Sequence, residues 1–326
     1  MQHQDMRSTG DQDGPAAGGT GRAAQENFPV ASRLLPRRYR ADLMAVYGFA
    51  RTVDDIGDEA PPDRRGPLLD EVDRDLDRIY AGRPAILPVM VPLAHTIAGR
   101  GIPAEPFRKL VRANRQDQEV LRYDTFADLL AYCALSADPV GHIVLYLFGA
   151  ATPERLELSD RVCSALQILE HCQDVREDHE KGRVYIPAED LRRFGCVEDD
   201  LRAARTPTRL RGVLALEADR AGRMLEEGAP IAAGLPPWAR LAVSGYIAGG
   251  RATHAALRRG AYDVLGARLH PRPARLLTEW LRVLVRSGPA GGGTAGGGTA
   301  GSGTAGGPSS RGYPGGRSPR RLARRR

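Results

Sequence analysis

YGFARTVDDIGDEA, at residues 47–60, carries the clearest evidence of a helical fold in this chain. Its apolar residues recur at intervals of three and four, which predicts a helix. Asp54 and Asp58 are four residues apart and therefore share one face of that helix, one turn apart. Tyr47 and Arg51 lie near the same acidic stripe. Like charges at this spacing repel each other, so the stripe predicts a bound cation, most simply a divalent metal.

A second acidic stretch reads LQILEHCQDVREDHEKGRVYIP and covers residues 166–187. Glu170, Asp174 and Asp178 recur every four residues and form a carboxylate ladder, with Gln167 close to the same line. Apolar residues flank the ladder on both sides, which predicts that it faces a cavity. Carboxylates on two facing helices are suitable ligands for Mg²⁺, which completes its coordination with water and with substrate phosphates. The two stretches together predict a magnesium and diphosphate site.

Two other interpretations of the acidic stretches remain open. A DDxxD pattern on a single helix is more often a solvated acidic face than a metal site. A di-iron carboxylate bundle needs Glu-x-x-His pairs, whereas Glu170-His171 and Asp178-His179 are directly adjacent. The second copy of the pattern favours the magnesium site over both.

The end of the second stretch runs from Lys181 to Pro187 and carries cations, a glycine and a tyrosine. Cations are common at helix C-termini because they interact favourably with the helix dipole, which is one account of Lys181 and Arg183. Beside a metal-binding ladder we favour a functional account. Arg183 and Tyr185 are then predicted to contact the leaving diphosphate.

The remaining core follows the same helical period, with prolines and glycines that divide it into eight to ten helices. This pattern predicts an all-α, single-domain helical bundle over residues 25–286, with a central active-site cavity. Residues 1–24 contain almost no large apolar side chain and are predicted to be a disordered lead. Residues 287–326 are predicted to be a disordered Gly/Ala/Thr linker that ends in an arginine-rich tail.

Seven arginines in that tail account for the whole formal net charge of +7, so residues 1–286 sum to zero. A neutral core argues against nucleic-acid binding. The tail is predicted to contact anionic membrane lipids, although a general use of Arg over Lys explains it equally well, since 45 arginines accompany Lys109 and Lys181. No apolar run reaches about 18 residues, and no signal peptide is evident. We therefore expect a cytoplasmic protein, at most peripheral to the inner face of the cell membrane.

With its two acidic stretches and the GRVYIP ending, the chain resembles the squalene/phytoene synthase family over residues 25–275. The resemblance implies an isoprenoid-synthase bundle in which two aspartate-rich helices hold three Mg²⁺ ions and the substrate diphosphate. The residues at the metal-binding and catalytic positions are Asp54, Asp58, Asp174 and Asp178. Glu170 stands where carotenoid-type members usually carry Asn, which adds an anionic ligand.

The resemblance also assigns residues that contact substrate. The positions that match contacts to the diphosphate or its metals are Arg51, Gln167, Arg183 and Tyr185. We add Tyr47 to the catalytic set because it lies near the first stripe. Phe28 and Tyr246 are expected to line the hydrocarbon cavity.

Within the family, ENFPVASRLLP at 26–36, SADPVG at 136–141 and HCQDV at 171–175 are most similar to bacterial members of hopanoid biosynthesis. That similarity implies conversion of presqualene diphosphate to hydroxysqualene by diphosphate loss, ring opening and capture of the cation by water. No NADPH is expected, because no dinucleotide-binding fingerprint is present. One alternative is condensation of two prenyl diphosphates, such as farnesyl diphosphate, to presqualene diphosphate, squalene or phytoene. A second is a non-catalytic prenyl-lipid binder, against which the four motif aspartates argue.

Overall fold

The computed structural model describes residues 35–287, and this part of the chain is built from α-helices, which confirms the all-α prediction. The helices in this range are α1 (Arg37–Asp58), α2 (Pro62–Tyr80), α3 (Met90–Arg100), α4 (Ala104–Gln116), α5 (Phe126–Ser136), α6 (Asp138–Leu147), α7 (Pro153–Gln173), α8 (Val175–Glu180), α9 (Ala188–Arg193), α10 (Thr208–Gly228), α11 (Pro237–Arg259) and α12 (Pro273–Arg286). Short 3₁₀ turns occur at Glu198–Arg202 and Ala229–Gly234. Phe28 and the predicted boundary at 24/25 lie outside the described residues, so the proposed domain limits stay a prediction.

Twelve helices within residues 35–287 exceed the eight to ten expected, because two long helical stretches are interrupted. α5 and α6 are separated at Ala137, where Pro139 lacks the N–H that would continue α5. α7 and α8 are separated at Asp174, which no proline or glycine marks. Backbone hydrogen bonds from Asp174 N to Glu170 O (2.9 Å) and from Asp178 N to Asp174 O (2.8 Å) keep the four-residue spacing across this junction.

The bundle is organised around α7, which packs most extensively on α10 and also contacts α6 and α11. The close approach of α10 to α7 depends on Gly228, because a Cβ there would lie 2.7 Å from the carbonyl oxygen of Leu158. On the other side of the bundle, α1 packs against α3 and α4. An edge-to-face contact between Phe49 and Phe107, with ring centroids 5.2 Å apart, joins α1 to α4. These contacts fix α1 and α7 in the bundle, and each of the two helices carries part of one acidic stretch.

One expectation about membrane spans needs correction. The stretch Phe126–Leu147 is long and apolar enough to cross a bilayer by composition, with a mean hydropathy of 1.3. Half of this stretch is buried inside the bundle, and it forms two helices, α5 and α6, rather than one. That burial is typical of core helices rather than of a lipid-exposed span.

Candidate active site

A cleft of about 1030 Å³ lies between the C-terminal end of α1 and the junction of α7 with α8. Arg51, Asp54 and Asp58 line it from α1, and Asp174 lines it from the junction. Residues 264–270 form the remaining wall. The structure therefore brings together the two acidic stretches, which the sequence separates by 120 positions.

A pair of cations after α8 reaches across this cleft to the first acidic stretch. Nη1 of Arg183 is 2.7 Å from Oδ1 of Asp58, and Nζ of Lys181 is 3.4 Å from Oδ2 of the same carboxylate. Partial burial acts to raise the pKa of Asp58, but the hydrogen bond and charge of Arg183, with Lys181, hold it below its usual value. Asp58 is therefore ionised and internally neutralised.

Asp54 and Asp174 are in a different electrostatic environment. Loss of solvation raises the pKa of Asp54 to about 6; a hydrogen bond from Asn114 Nδ2 (3.2 Å) opposes this effect, and the charge of Asp58 adds to it. Loss of solvation also raises the pKa of Asp174 to about 6, with a further contribution from the charge of Asp178. Within residues 35–287 neither carboxylate has a close pair of cations like the pair at Asp58, so the cleft holds excess negative charge.

The donor set of the cleft fits a hard divalent cation. Asp54, Asp58 and Asp174 present carboxylate oxygens from two facing elements, and the lining of the cleft holds seven acidic residues against four Lys and Arg residues. Across the described range no three His, Cys, Asp or Glu side chains form a complete metal site. An ion held here would therefore take its remaining ligands from water and diphosphate, as Mg²⁺ commonly does.

Asn114 is a site residue that sequence reasoning missed. It lies on α4, donates to Asp54, and fits against Gly57 of α1, where a Cβ would be 2.2 Å from Asn114 Oδ1. Gly57 is therefore needed for the close approach of the two helices. The one sequence signal is the polar run from Asn114 to Gln118 at the end of a helix.

Arg51 lines the cleft, but its ion pairs are with neighbouring acids rather than with the motif aspartates. Its Nη2 lies 2.6 Å from Asp55 Oδ1 and 3.4 Å from Glu59 Oε1. Tyr47, one turn earlier on α1, is partly buried and interacts electrostatically with Arg51. The contact of Arg51 with diphosphate stays a prediction. To make that contact, the Arg51 guanidinium would have to share or leave its ion pairs with Asp55 and Glu59.

Tyr185 lies in a buried cluster behind the cleft. Its hydroxyl donates to Asp117 Oδ1 (3.0 Å), and the hydroxyl of Tyr132 donates to Oδ2 (2.7 Å). The ring of His171 stacks on Tyr185 with centroids 3.9 Å apart, and His171 Nδ1 is 3.7 Å from Asp178 Oδ2. In this structure Tyr185 is therefore connected to the second ladder through His171, and a contact with diphosphate would require its hydroxyl to leave Asp117.

A second, mainly apolar cavity of about 190 Å³ lies between α6, α7 and α11. Gln167 and Glu170 line it from α7, and Tyr246 lines it from α11. Glu170, which we predicted as a metal ligand, thus borders the apolar cavity, whereas Asp174 one turn later lines the acidic cleft. The role of Glu170 as a ligand stays a prediction. Helix α7 consequently runs from an apolar chamber directly to the carboxylates.

The wall formed by residues 264–270 was also missed by sequence reasoning. Gln173 Nε2 donates to the carbonyl of Leu269 (2.7 Å), and Arg176 Nη2 donates to that of Leu265 (2.9 Å). Arg268 in this segment lines the cleft and adds a cation to it. Its sequence neighbourhood carries no acidic or metal-binding pattern that would have indicated this position.

Comparison with known proteins places these features in a family context. The family model described as squalene/phytoene synthase matches residues 22–275. The hydroxysqualene synthase of Rhodopseudomonas palustris is 34% identical over 251 residues, covering 76% of this chain and 84% of that protein. The phytoene synthase of Mycobacterium tuberculosis is also 34% identical, over 204 residues, covering 61% of this chain and 67% of that protein.

Among solved structures, the squalene synthase HpnC from Alicyclobacillus acidocaldarius is similar to this chain, with 43% sequence identity and a TM-score of 0.69. The similarity covers 74% of this chain and 91% of that one. Relatives with different named reactions therefore match this chain, and identity alone does not choose among their products.

Proposed function

The chain belongs to the squalene/phytoene synthase family, and from that premise we propose that it converts presqualene diphosphate to hydroxysqualene in a Mg²⁺-dependent reaction. The observation that carries the proposal is the course of α7 from the apolar cavity at Glu170 to the acidic cleft at Asp174. A prenyl diphosphate has the same two parts, a hydrocarbon and a strongly anionic end. Its diphosphate would lie in the cleft and its chain would extend toward the cavity.

Two observations favour this member of the family over the others. The hydroxysqualene synthase of Rhodopseudomonas palustris matches a larger share of this chain than the phytoene synthase does, at equal identity. Gln173 also stands immediately before Asp174, as in the presqualene-processing pattern HCQDV, and here it fixes the 264–270 wall through Leu269. A condensation of two prenyl diphosphates is the alternative, because a phytoene synthase has the same sequence identity over a shorter match.

The reaction breaks the C–O bond between hydrocarbon and diphosphate, and the diphosphate leaves with the bonding electron pair. The cyclopropane ring then opens, a water oxygen forms a bond to the resulting cation, and the water proton is released to diphosphate or solvent. Bound Mg²⁺ would supply positive charge toward the leaving diphosphate.

Arg183 and Lys181 are the residues of this chain best placed to stabilise the leaving group. Both are already within 3.4 Å of Asp58 at the edge of the cleft. The side chain of Arg183 is 11% exposed, and charge interactions are stronger where solvent is largely excluded. Because negative charge on the diphosphate grows as the bond breaks, these cations stabilise the transition state more than the bound substrate.

The apolar cavity would protect the carbocation from indiscriminate capture by water. Its volume of about 190 Å³ is below the roughly 300 Å³ at the lower end of ordinary ligand sites. We therefore expect the prenyl chain to widen the space between α6 and α11 when it binds. Tyr246 offers the cavity a hydroxyl, whose pKa burial raises, so it remains protonated at neutral pH.

Product analysis with a panel of substrates tests the proposal. The purified protein is incubated with presqualene, farnesyl or geranylgeranyl diphosphate, each with and without Mg²⁺ and NADPH. We expect hydroxysqualene from presqualene diphosphate when Mg²⁺ is present, with no requirement for NADPH. Efficient condensation of farnesyl or geranylgeranyl diphosphate, with presqualene diphosphate left unchanged, would favour the alternative.

A further inference from the structure

Helix α12 carries an exposed apolar stripe on its outer face. Leu277, Leu281 and Val285 recur every four residues, and 53%, 54% and 80% of their surfaces are exposed. The opposite face holds the helix to the bundle, where Val283 is buried and Trp280 Nε1 donates to the carbonyl of Leu241 (3.1 Å). The stripe therefore does not serve the attachment of α12 to α11.

A basic groove of about 1190 Å³ runs beside this stripe, between α11 and α12. Leu281 and Val285 line it together with six arginines and two glutamates, so its lining has an excess of four positive charges. The arginines are Arg251, Arg258, Arg259, Arg275, Arg282 and Arg286.

Three of these arginines have no acidic partner in the part of the chain that the structure describes. Arg251 pairs with Glu226, while Arg275 and Arg282 share Glu279. Arg258, Arg259 and Arg286 are exposed and form no ion pair with another residue of the range 35–287. The groove thus offers three uncompensated guanidinium groups next to three exposed apolar side chains.

We propose that the outer face of α12 and this groove form a docking surface for an anionic lipid bilayer. The helix would lie parallel to the bilayer, with Leu277, Leu281 and Val285 among the acyl chains near the headgroups. The guanidinium groups would bind lipid phosphates. This combination of an apolar stripe with flanking arginines is the pattern of a helix that lies in the membrane interface.

Charge distinguishes the bilayer from a second copy of the chain as the occupant. Two copies that met through this face would bring Arg258, Arg259 and Arg286 close to those of the partner, and like charges oppose such a contact. An anionic surface is complementary to them. The chain that follows Ser287 adds seven arginines and no acidic residue, so the positive charge continues in the sequence beyond the helix.

The position of α12 connects this surface with the cleft. The helix begins at Pro273, three residues after His270, which lines the cleft. Docking would therefore hold the 264–270 wall close to the bilayer. Membrane binding needs no turnover, so a failure of this inference can be told apart from a failure of the proposed function.

Cosedimentation of the full chain with vesicles tests the apolar part of the surface. Vesicles of phosphatidylcholine alone are compared with vesicles that also contain anionic phosphatidylglycerol. The variant Leu277→Ser/Leu281→Ser/Val285→Ser is expected to bind the anionic vesicles at least about tenfold more weakly, because it loses most of the insertable apolar area. The control variant Ile86→Ser/Val91→Ser/Val197→Ser removes three exposed apolar side chains elsewhere and is expected to bind like the parent.

A second pair of variants tests the charge and separates the folded surface from the tail. For Arg258→Gln/Arg259→Gln/Arg286→Gln, we expect the ratio of binding to anionic vesicles over neutral vesicles to fall at least about tenfold below that of the parent. If replacement of the seven tail arginines by glutamine abolished binding while the serine variant bound like the parent, the surface would have no role and the inference would be overturned. A dimer in analytical ultracentrifugation that the serine variant converts to a monomer, with vesicle binding unchanged, would instead identify a contact between copies.

Discussion

Arg183 and Asp58 form an ion pair of 2.7 Å that joins the two acidic stretches of the chain across the cleft. The pair places a mostly buried guanidinium beside carboxylates that are otherwise short of positive charge. It neutralises Asp58, and it gives the site a cation for the anionic end of a substrate.

We expect Arg183→Gln to lower kcat by about 10²- to 10³-fold, the usual effect of removing one donor that stabilises developing negative charge. Steady-state turnover of the prenyl diphosphate measures it. Arg202→Gln is the matched control, since Arg202 forms an exposed pair with Asp199 and should retain full activity. An Arg183→Gln enzyme with normal kcat would show that Arg183 has no catalytic role.

Metal dependence is predicted from the paired carboxylates. Asp54→Asn and Asp174→Asn should each abolish turnover while leaving the helical circular dichroism signal unchanged, because both side chains lie at the cleft and not in the core. Asp199→Asn, at a side chain that is 85% exposed, should behave like the parent. EDTA should stop the parent reaction and added Mg²⁺ should restore it. Undiminished turnover in EDTA would contradict the metal assignment.

Packing of α7 on α10 predicts a stability effect at Gly228. A methyl group there would meet the Leu158 carbonyl at 2.7 Å and the side chain of Val162 at 2.7 Å, so we expect Gly228→Ala to lower the free energy of unfolding by about 1–3 kcal/mol. Gly99→Ala is the control, within α3. No heavy atom of residues 35–287 outside its own helical turn lies within 4 Å of the point that its Cβ would occupy, and the change should stabilise by about 0.5–1 kcal/mol. Urea denaturation of both variants measures the contrast, and equal effects would contradict the packing account.

A buried glutamate predicts a dependence of stability on pH. Loss of solvation raises the pKa of Glu217 to about 8. The positive charge of Arg220, whose Nη1 lies 2.6 Å from Glu217 Oε1, opposes this rise. Between the usual pKa of 4.5 and about 8 the unfolded chain releases this proton more readily than the folded one, so stability should fall as pH rises through that window.

Glu217→Gln should remove this fall, which amounts to at most about 1.4 kcal/mol per pH unit. Chemical denaturation at several pH values between 5 and 8 measures it. Glu227→Gln serves as the control, because Glu227 is exposed and pairs with the exposed Arg161. If the parent and Glu217→Gln had the same pH profile, Glu217 would not carry the effect.

The sequence predicts those parts of the site that depend on local patterns. Carboxylates four residues apart define a helix face, and two such faces, at Asp54 and at Asp174, are enough to indicate a shared cation. The all-α class follows from the same periodicity. The structure agrees on the class, and it brings these two stretches to one cleft.

Other parts of the site depend on contacts between distant segments and have no local signal. Asn114 reaches Asp54 because α4 packs against Gly57, and residues 264–270 join the cleft because Gln173 and Arg176 bond their carbonyls. Tyr185 was predicted at the diphosphate from its place after the ladder. That contact stays a prediction, and in the structure the Tyr185 hydroxyl donates to Asp117, 68 positions earlier in the chain.

Turnover of presqualene diphosphate in ¹⁸O-labelled water, with Mg²⁺ and without NADPH, tests whether this protein makes hydroxysqualene by capture of water. The product is analysed by mass spectrometry. We expect hydroxysqualene that carries one ¹⁸O atom, because the hydroxyl oxygen comes from solvent after the diphosphate leaves. An unlabelled alcohol, or no conversion of presqualene diphosphate by a folded enzyme that consumes farnesyl diphosphate, would contradict it.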